Sequence, residues 1–324
     1  MARNEFDIIA QYFERQAVNR KDVPLAIGDD CALLELPMGS QLAVSTDSLV
    51  AGTHFLHDAD PARVAHKALA SNLSDLAAMG ATPAWVSMAL TMPEPDEQWL
   101  AQFCQGFFAL AEYYNVQLVG GDTTKGPLSI TLTVHGFVPK GEALTRSGAS
   151  SGDWVFVTGN LGDSAAGLAV LLGQVSLADQ ALADTLVERH FMAQPRILAG
   201  QALRRIASAA LDISDGLVSD LGHILKRSGL AAVIEVDKLP VSSELEQFEP
   251  QRDKALQLAL TSGEEYELCF TVPEQNRGAV ETALAHSGVT ATCVGQLRPG
   301  SGITLIRDAK PLHWQLHGYD HFAE

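Results

Sequence analysis

Val44-Ser45-Thr46-Asp47-Ser48 is the stretch around which this chain is organised. The apolar run Leu42 to Val44 predicts a strand, and that strand delivers two hydroxyls and a carboxylate in succession. Comparable acidic sites stand near other predicted elements, at Gly28-Asp29-Asp30, Asp75 and Gly120-Gly121-Asp122-Thr123. Because Mg²⁺ prefers oxygen ligands from carboxylates, hydroxyls and phosphates, this set predicts a magnesium–phosphate site.

Each of these carboxylates also has a simpler interpretation, as a cap of a helix or turn. The set is harder to explain that way, because two unit charges ~4 Å apart repel by roughly 4 kcal/mol at an effective dielectric constant of ~20. Carboxylates held together must be protonated, lie apart, or be neutralised by divalent metal. For Asp30, Asp47, Asp75 and Asp122 as a group, with Ser45 and Thr46 adding oxygens, we favour metal.

Composition and charge limit the function classes. The chain has 324 residues, 47% of them hydrophobic and 19% charged, which favours two globular domains. Its 22 basic and 39 acidic residues give a net charge of −17, which argues against binding to nucleic acid or to an anionic membrane surface. An anionic substrate would have to be held by local cations, and bound divalent metals would supply them.

The cysteines and the N-terminus predict a cellular location. Cys31, Cys104, Cys269 and Cys293 lie far apart in apolar runs, which predicts reduced core thiols. The first residues include acids where a signal peptide would be apolar, and no apolar run approaches ~18 residues. We therefore expect a soluble cytoplasmic protein.

Periodicity predicts an α/β protein of the α+β type, with two domains that are each a mixed β-sheet backed by helices. In the first half, helices are predicted over residues 6–13, 61–80 and 99–114, and strands over 25–36, 42–49, 84–92, 116–119 and 128–138. The polar stretch from Pro139 to Gly152 separates domain 1–140, expected to bind metal and ATP, from domain 149–324, expected to complete the active-site cleft.

The second half repeats this alternation of strands and helices. Strands are predicted over 154–157, 209–213, 231–236, 266–272, 289–297 and 303–306, and helices after Asp163 and over 196–208, 217–227 and 276–286. Common nucleotide-binding motifs are absent: Gly120-Gly121-Asp122-Thr123-Thr124-Lys125 has the wrong spacing for a phosphate loop, and no dinucleotide or protein-kinase motif occurs.

The motifs resemble the thiamine-monophosphate kinase family, which shares a superfamily with aminoimidazole ribonucleotide synthetase and selenophosphate synthetase. They run in order across nearly the whole chain: Ile27-Gly28-Asp29-Asp30, Ser45-Thr46-Asp47, Asn72 to Ala81, Leu118 to Thr123, Thr158 to Gly162, Asp212 to Leu217 and Gly263 to Leu268. One departure is Glu265, where the family's pattern has aspartate.

The resemblance implies a reaction, a partner and site residues. It implies transfer of the γ-phosphoryl group of ATP to thiamine monophosphate, giving thiamine diphosphate, by a homodimer whose N-terminal sheets pair into a barrel. Several Mg²⁺ ions would be held by Asp30, Ser45, Thr46, Asp47, Asp75, Asp122, Asp212 and Asp215. ATP would contact Gly121, Asp122, Arg146 and Ser214, and the thiamine substrate would contact His54, Glu264 and Tyr319.

Alternatives remain open for single residues. Arg146 and His54 could be ordinary solvated loop residues, Asp212 and Asp215 could cap the following helix, and Tyr319 could pack the tail. Backbone amides of residues 159–163 could bind phosphate, although a structural turn is favoured, and Lys125 has no firm assignment.

The chemistry needs no general base. The accepting phosphate oxygen has a second pKa of ~6 and is mostly deprotonated at neutral pH, so we expect direct in-line transfer without a phosphoenzyme. Two other functions fit the sequence less well. Selenophosphate synthetase would carry a reactive cysteine in a glycine-rich N-terminal stretch, and residues 1–24 contain neither Cys nor Gly. A regulatory protein without turnover is disfavoured by the complete set of four aspartates.

Overall fold

The computed structural model describes residues 5–14 and 16–316. Their contacts form two compact units. The first comprises the described residues up to Leu76 together with Ala81–Gly141, and the second comprises Ala77–Gly80 together with the described residues from Glu142 onward. Tyr319, which the resemblance assigns to the substrate, lies outside the described residues.

The first unit is a four-stranded mixed sheet with two long helices. Its elements are α1 (Glu5–Ile8), which continues as a π-helical turn (Ile9–Phe13), β1 (Ser40–Val50), α2 (Pro61–Ala78), β2 (Thr82–Met92), α3 (Glu97–Tyr113), β3 (Gln117–Lys125) and β4 (Ser129–Pro139). The strand order is β1-β4-β2-β3, in which only β2 and β3 run parallel. The predicted helices and most predicted strands of this half are thereby confirmed.

Local chemistry explains why α2 and α3 lie where they do. Asp60 Oδ1 accepts from the Arg63 amide at 3.0 Å and so caps the start of α2, whose first residue is Pro61. The two helices approach closely at Gly106, where an added Cβ would lie 2.1 Å from the Ala62 carbonyl oxygen. On β4, Ile130, Leu132 and Val134 are fully buried while the alternate residues are partly exposed, so the core lies on one face of the sheet.

The strand predicted over residues 25–36 is wrong. This segment makes only isolated bridges, with the Leu33 amide donating to the Leu25 carbonyl at 2.9 Å, so the chain folds back on itself. Gly28, at φ +119°, breaks the extended run in a conformation that side chains disfavour. Val23, Ala32 and Leu34 instead pack against a small core cluster that contains Trp85 and Phe137.

The second unit is a seven-stranded sheet flanked by helices. Its strands are β5 (Trp154–Thr158), β6 (Ala209–Asp212), β7 (Leu230–Glu235), β8 (Leu268–Val272), β9 (Ala291–Pro299), β10 (Gly302–Arg307) and β11 (Lys310–Leu312). Its helices are α4 (Asp163–Leu171), α5 (Gln180–Phe191), α6 (Ile197–Leu203), α7 (Leu217–Ser228), α8 (Ser243–Phe248), α9 (Arg252–Thr261) and α10 (Val280–Leu284). The order is β11-β10-β7-β9-β5-β8-β6, with β10 and β7 parallel.

Some helix predictions in this unit differ from the structure. The sequence analysis does not predict helices α5, α8 and α9, although Asp179 caps α5 and Leu182 and Leu186 follow at helical spacing. The helix predicted over 196–208 ends at Leu203, and Arg205 adopts a left-handed φ of +65°. The helix predicted over 276–286 begins as a 3₁₀ segment (Glu274–Ala279) before α10.

The cysteines are free thiols, but one prediction about them is wrong. Cys104 and Cys269 are buried and Cys293 is partly buried, whereas Cys31 is exposed in the folded-back segment. Burial raises the pKa of the Cys104 thiol to about 12. Within the described part of the chain, no helix is both long and apolar enough to cross a membrane.

Candidate functional site

Strand β1 and helix α2 hold one group of predicted ligands. Ser45 and Asp47 lie two residues apart, so they share the face of β1 that meets α2. The Ser45 hydroxyl donates to Asp75 Oδ2, and the Asp47 amide donates to Asn72 Oδ1 at 3.2 Å. The structure therefore brings Ser45, Asp47 and Asp75 to one place in the first unit.

Thr46 lies on the opposite face of β1. Its hydroxyl pairs with the Thr133 hydroxyl of β4 at 2.9 Å, and the residue is exposed. The strand period of two separates this side chain from Ser45 and Asp47. Of the three consecutive predicted ligands, Thr46 is the one whose side chain the structure does not bring to Asp75.

Asp30 and Asp122 share a cavity of about 870 Å³ in the first unit. Gly120-Gly121-Asp122 lines it from the middle of β3, which continues to Lys125 and does not end before Gly120 as predicted. The other polar lining side chains are Glu14, Asp29, Asp30, Ser87 and Thr123, among apolar residues. Gly121 is required here, because a Cβ at this residue would lie 1.8 Å from the Met88 carbonyl oxygen of β2. The backbone of Gly121, without a side chain, therefore borders the cavity next to the Asp122 carboxylate.

The donor chemistry of these two places fits a hard cation. The side chains that meet or face one another are carboxylates and a hydroxyl, which suit Mg²⁺. Among residues 5–14 and 16–316, no three acidic, His or Cys side chains gather closely enough to hold an ion by themselves. Water and phosphate oxygens commonly complete the shell of Mg²⁺, so such a closed protein cage is not required.

His54 contacts the backbone amide of Val50 at the end of β1 and a buried lysine. Its Nδ1 accepts from the Val50 amide at 3.1 Å, so the neutral ring carries its hydrogen on Nε2. Lys67 Nζ donates to the His54 carbonyl at 3.1 Å, and Lys67 is only 1% exposed. Sequence reasoning missed Lys67, although a lysine among Val64, Ala68 and Leu69 on the apolar face of α2 indicates a buried charge that needs a partner.

In the second unit, Asp220 organises the turn after β6. Its Oδ2 accepts from the amides of Ser214 at 3.0 Å and Asp215 at 2.9 Å. Burial, and then the negative charge of Asp215, raise the pKa of Asp220 to about 7, although the two amide bonds and the charge of Arg146 oppose the rise. The positive charge of Arg146 thus acts on the carboxyl group that holds the turn carrying Ser214 and Asp215. Sequence reasoning missed Asp220, although it stands in the first turn of a predicted helix.

The loop over residues 263–267 packs against the same turn in a strained backbone conformation. Glu264 and Tyr266 have φ of +57° and +54°, a region that residues other than glycine rarely adopt. The Glu264 amide donates to the Ser214 carbonyl at 2.7 Å, and the Tyr266 amide donates to the Ile213 carbonyl at 2.9 Å. Strain of this kind persists where surrounding bonds enforce it, and it concentrates at functional sites.

Glu265 binds the amide of Gly162, one of the amides of residues 159–163 considered above for phosphate, and the amide of Ser164 next to that turn. Its Oε1 accepts from Gly162 N at 2.8 Å, from Ser164 N at 3.3 Å and from the Ser262 hydroxyl at 2.5 Å. Burial raises the pKa of Glu265 to about 8, against the opposing effect of these donors. The turn over residues 159–163 therefore binds an internal carboxyl group at the start of α4, which supports the structural interpretation of that turn.

Glu267 completes the buried network beside this loop. It accepts from Arg196 Nε at 2.8 Å and from the Thr158 hydroxyl at 2.5 Å, and it is 6% exposed. These bonds anchor the loop to the end of β5. Lys125, left without a firm assignment, lies exposed at the end of β3.

Family comparisons match both units. Residues 28–138 match "AIR synthase related protein, N-terminal domain", and residues 150–308 match "AIR synthase related protein, C-terminal domain". The chain is 58% identical over 325 residues to the thiamine-monophosphate kinase of Escherichia coli (strain K12), an alignment that covers 100% of this chain and 99% of that protein.

Solved structures are similar over nearly the whole chain. The thiamine-monophosphate kinase of Stenotrophomonas maltophilia K279a superposes with a TM-score of 0.86 at 42% identity, covering 94% of this chain and 97% of the other. AaThiL complexed with AMPPCP and TMP superposes with a TM-score of 0.77 at 34% identity, covering 92% of each chain.

Proposed function

The chain belongs to the thiamine-monophosphate kinase family, and from this we propose that it transfers the γ-phosphoryl group of ATP to thiamine monophosphate. The products are ADP and thiamine diphosphate, and the role is a cytoplasmic step of thiamine diphosphate biosynthesis. One observation carries the proposal above the others: AaThiL, similar over 92% of its length, was complexed with AMPPCP and TMP, which we take as an ATP analogue and thiamine monophosphate.

Mg²⁺ is the proposed cofactor, and the oxygen-rich side chains described above would hold it. In the first unit the proposed ligands are Asp30, Ser45, Asp47, Asp75 and Asp122, and the second unit supplies Asp212, the last residue of β6, and Asp215. The Thr46 side chain, expected as a ligand, is left out because it lies on the opposite face of β1 and pairs with Thr133. Bound Mg²⁺ would offset the charge of the phosphates, which a protein of net charge −17 cannot offset by its overall field.

The chain's own groups bind and align the two substrates. Arg146 and Ser214 contact ATP near the turn that Asp220 holds, and Gly121 and Asp122 contact it where the bare backbone of β3 borders the cavity. His54 offers Nε2–H as a hydrogen-bond donor to the second substrate. Glu264 supplies a negative charge for the cationic thiazolium ring, and Tyr319 supplies an aromatic face.

The transfer is a direct in-line displacement. A phosphate oxygen of thiamine monophosphate forms a bond to the γ-phosphorus, while the bond from that phosphorus to the β,γ-bridging oxygen breaks and its electron pair leaves with ADP. The attacking oxygen is already deprotonated at neutral pH, so the side chains need to position groups rather than remove a proton.

A homodimer is proposed from an exposed apolar surface on β1. Leu42 and Val44, on the face of β1 away from α2, are 41% and 54% exposed, and Met38 just before the strand is fully exposed. Grouped apolar side chains of this kind mark contact surfaces, and a second copy would cover them by pairing N-terminal sheets into a barrel.

A coupled assay of ADP release tests the proposed function. With Mg²⁺ and ATP present, thiamine monophosphate should stimulate ADP release, whereas thiamine and aminoimidazole precursors should not. Chelation of Mg²⁺ should abolish the stimulated rate. Equal rates with and without thiamine monophosphate would overturn the assignment of substrate.

A further inference from the structure

A completely buried threonine binds a buried carboxylate at the end of β5. The Thr158 hydroxyl donates to Glu267 Oε2 at 2.5 Å and accepts from the Leu268 amide at 2.8 Å. Arg196 donates to both carboxylate oxygens of Glu267. These bonds satisfy the Thr158 hydroxyl and hold the Glu267 carboxylate through two residues. The proposed function assigns no role to Thr158.

Gly159 leaves room for this carboxylate. Its φ is +58°, and an added Cβ would lie 2.0 Å from Glu267 Oε1. Because that carboxylate is already held, it could not move aside without losing hydrogen bonds. At the other end of the motif over residues 158–162, the Gly162 amide binds Glu265. The motif thus binds two acidic side chains of the loop after α9.

The same loop pairs its backbone with the turn after β6. The Glu264 amide donates to the Ser214 carbonyl at 2.7 Å, and the Ile213 amide donates to the Glu267 carbonyl at 2.8 Å. Glu264 and Tyr266 adopt left-handed φ of +57° and +54°. A backbone of this kind persists where its surroundings enforce it. The motif, by binding the acidic side chains on either side of Tyr266, therefore stabilises the conformation of the loop that carries Glu264.

We propose that Thr158, through Glu267, is a positioning residue that keeps this loop in the conformation that presents Glu264 to thiamine monophosphate. The inference rests on the proposed function, which assigns Glu264 to that substrate. The turn after β6 has separate support, because Asp220 accepts from two of its amides. Loss of the Thr158 hydroxyl therefore weakens binding of thiamine monophosphate more than binding of ATP.

Two substitutions of Thr158 in the full-length enzyme separate positioning from packing. Valine keeps the shape of threonine without its hydroxyl, whereas serine keeps the hydroxyl and loses only a methyl group. Thr158→Val should raise the KM for thiamine monophosphate roughly tenfold, because one lost hydrogen bond to a charged group can lower the population of the competent loop by that factor. The kcat and the KM for ATP should stay within about threefold of the parent. Thr158→Ser should keep the KM for thiamine monophosphate within about twofold of the parent.

A control and a second variant test the same contact independently. Thr271→Val removes an equally buried hydroxyl from β8, one that lies 2.7 Å from Ser208 Oγ, and should leave the KM for thiamine monophosphate unchanged. Gly159→Ala adds a methyl group that must displace the Glu267 carboxylate, so it should raise this KM by a factor similar to that of Thr158→Val.

Amide hydrogen exchange measures the loop without any substrate. The amides of residues 263–267 should exchange faster in Thr158→Val than in the parent, in Thr158→Ser and in Thr271→Val. A parental KM or parental exchange in Thr158→Val, or equal impairment by serine and valine, would overturn the positioning role alone. An unsubstituted enzyme that ignores thiamine monophosphate would overturn the proposed function, and the exchange rates would still decide whether Thr158 anchors the loop.

Discussion

At the scale of the residue, the alternation of a single strand decides which predicted ligands meet. The sequence Ser45-Thr46-Asp47 permits all three side chains to serve one site, but an extended strand sends neighbours to opposite faces. Ser45 therefore pairs with Asp75, and Thr46 pairs with Thr133. The carboxylates could be predicted as candidate ligands from their residue types alone. That the Thr46 side chain lies on the other face from Ser45 and Asp47 became clear only from the register of β1 on β4.

Asp47 is the first residue to test. Asp47→Asn removes the negative charge of a proposed Mg²⁺ ligand while its size and its backbone bond to Asn72 remain. We expect turnover to be abolished and the thermal unfolding midpoint to stay within a few degrees of the parent. Ser48→Ala is the matched control, because Ser48 pairs with Thr131 on the opposite face of the same strand. An Asp47→Asn enzyme of parental activity would remove Asp47 from the mechanism.

Asp220 is the second residue to test, because it holds the turn that carries Ser214 and Asp215. Asp220→Asn retains a carbonyl oxygen that can accept both amides, whereas Asp220→Ala leaves the amides without this partner. We expect Ala to raise the KM for ATP about tenfold, the loss of one to two hydrogen bonds, and Asn to raise it by less than about threefold. Steady-state kinetics with thermal melts check this. Equal impairment by Asn and Ala would contradict the role of the turn.

At the scale of the element, sequence patterns predict helices and strands correctly where capping residues, turn residues and apolar spacing agree, and incorrectly where they conflict. Helix α2 has a capping aspartate, an early proline and an apolar face, and the structure confirms it within two residues. Residues 25–36 have a strand-like composition but also contain Gly28 and two aspartates. The segment folds back on itself, with a backbone hydrogen bond from Leu33 to Leu25, and does not form a strand. The loop over residues 263–267 could not be predicted, because left-handed φ at Glu264 and Tyr266 depends on bonds to a distant turn.

Two helical glycines should respond oppositely to alanine. Gly106→Ala places a methyl group 2.1 Å from the Ala62 carbonyl oxygen, so α2 and α3 must separate. We expect the free energy of unfolding to fall by about 1–3 kcal/mol. Gly222→Ala in α7 meets no atom within 4 Å and should raise stability by roughly 0.5–1 kcal/mol. Urea unfolding of both variants measures the contrast, and a Gly106→Ala protein as stable as its parent would contradict the close crossing.

Glu265 should make stability depend on pH with a defined sign. Its pKa is about 8 in the folded protein against an ordinary value of 4.5, so the folded state binds the proton more tightly. This group therefore lowers the free energy of unfolding as pH rises from about 4.5 to about 8, and its contribution is constant above that range. In the Glu265→Gln variant the side chain at this position does not ionise, so this contribution to the pH dependence of stability is absent.

The comparison of variant and parent isolates this effect. The stability of Glu265→Gln relative to the parent should increase from pH 5 to about pH 8 and level off above about pH 9. Urea unfolding at a series of pH values measures the difference. A difference that does not vary with pH would show that Glu265 is not held as a buried neutral acid beside α4.

At the scale of the whole molecule, the proposed dimer depends on the exposed face of β1. Val44→Asp introduces a charge into the apolar surface formed with Leu42, which a second copy is proposed to cover. We expect the parent to sediment as a dimer and the variant as a monomer with its fold retained. Sedimentation velocity distinguishes the two, and a variant that remains dimeric would place the interface elsewhere.

The central claim is that the γ-phosphoryl group passes directly from ATP to thiamine monophosphate. Similarity across the whole chain establishes the family, and direct transfer to this substrate is the proposal that follows from it. The most direct test is a single turnover with ATP labelled in the γ-phosphate, in the presence of Mg²⁺ and thiamine monophosphate. All transferred label should appear in thiamine diphosphate, with none on the protein at any time. Label trapped on the protein, or released only as inorganic phosphate, would contradict direct transfer to this substrate.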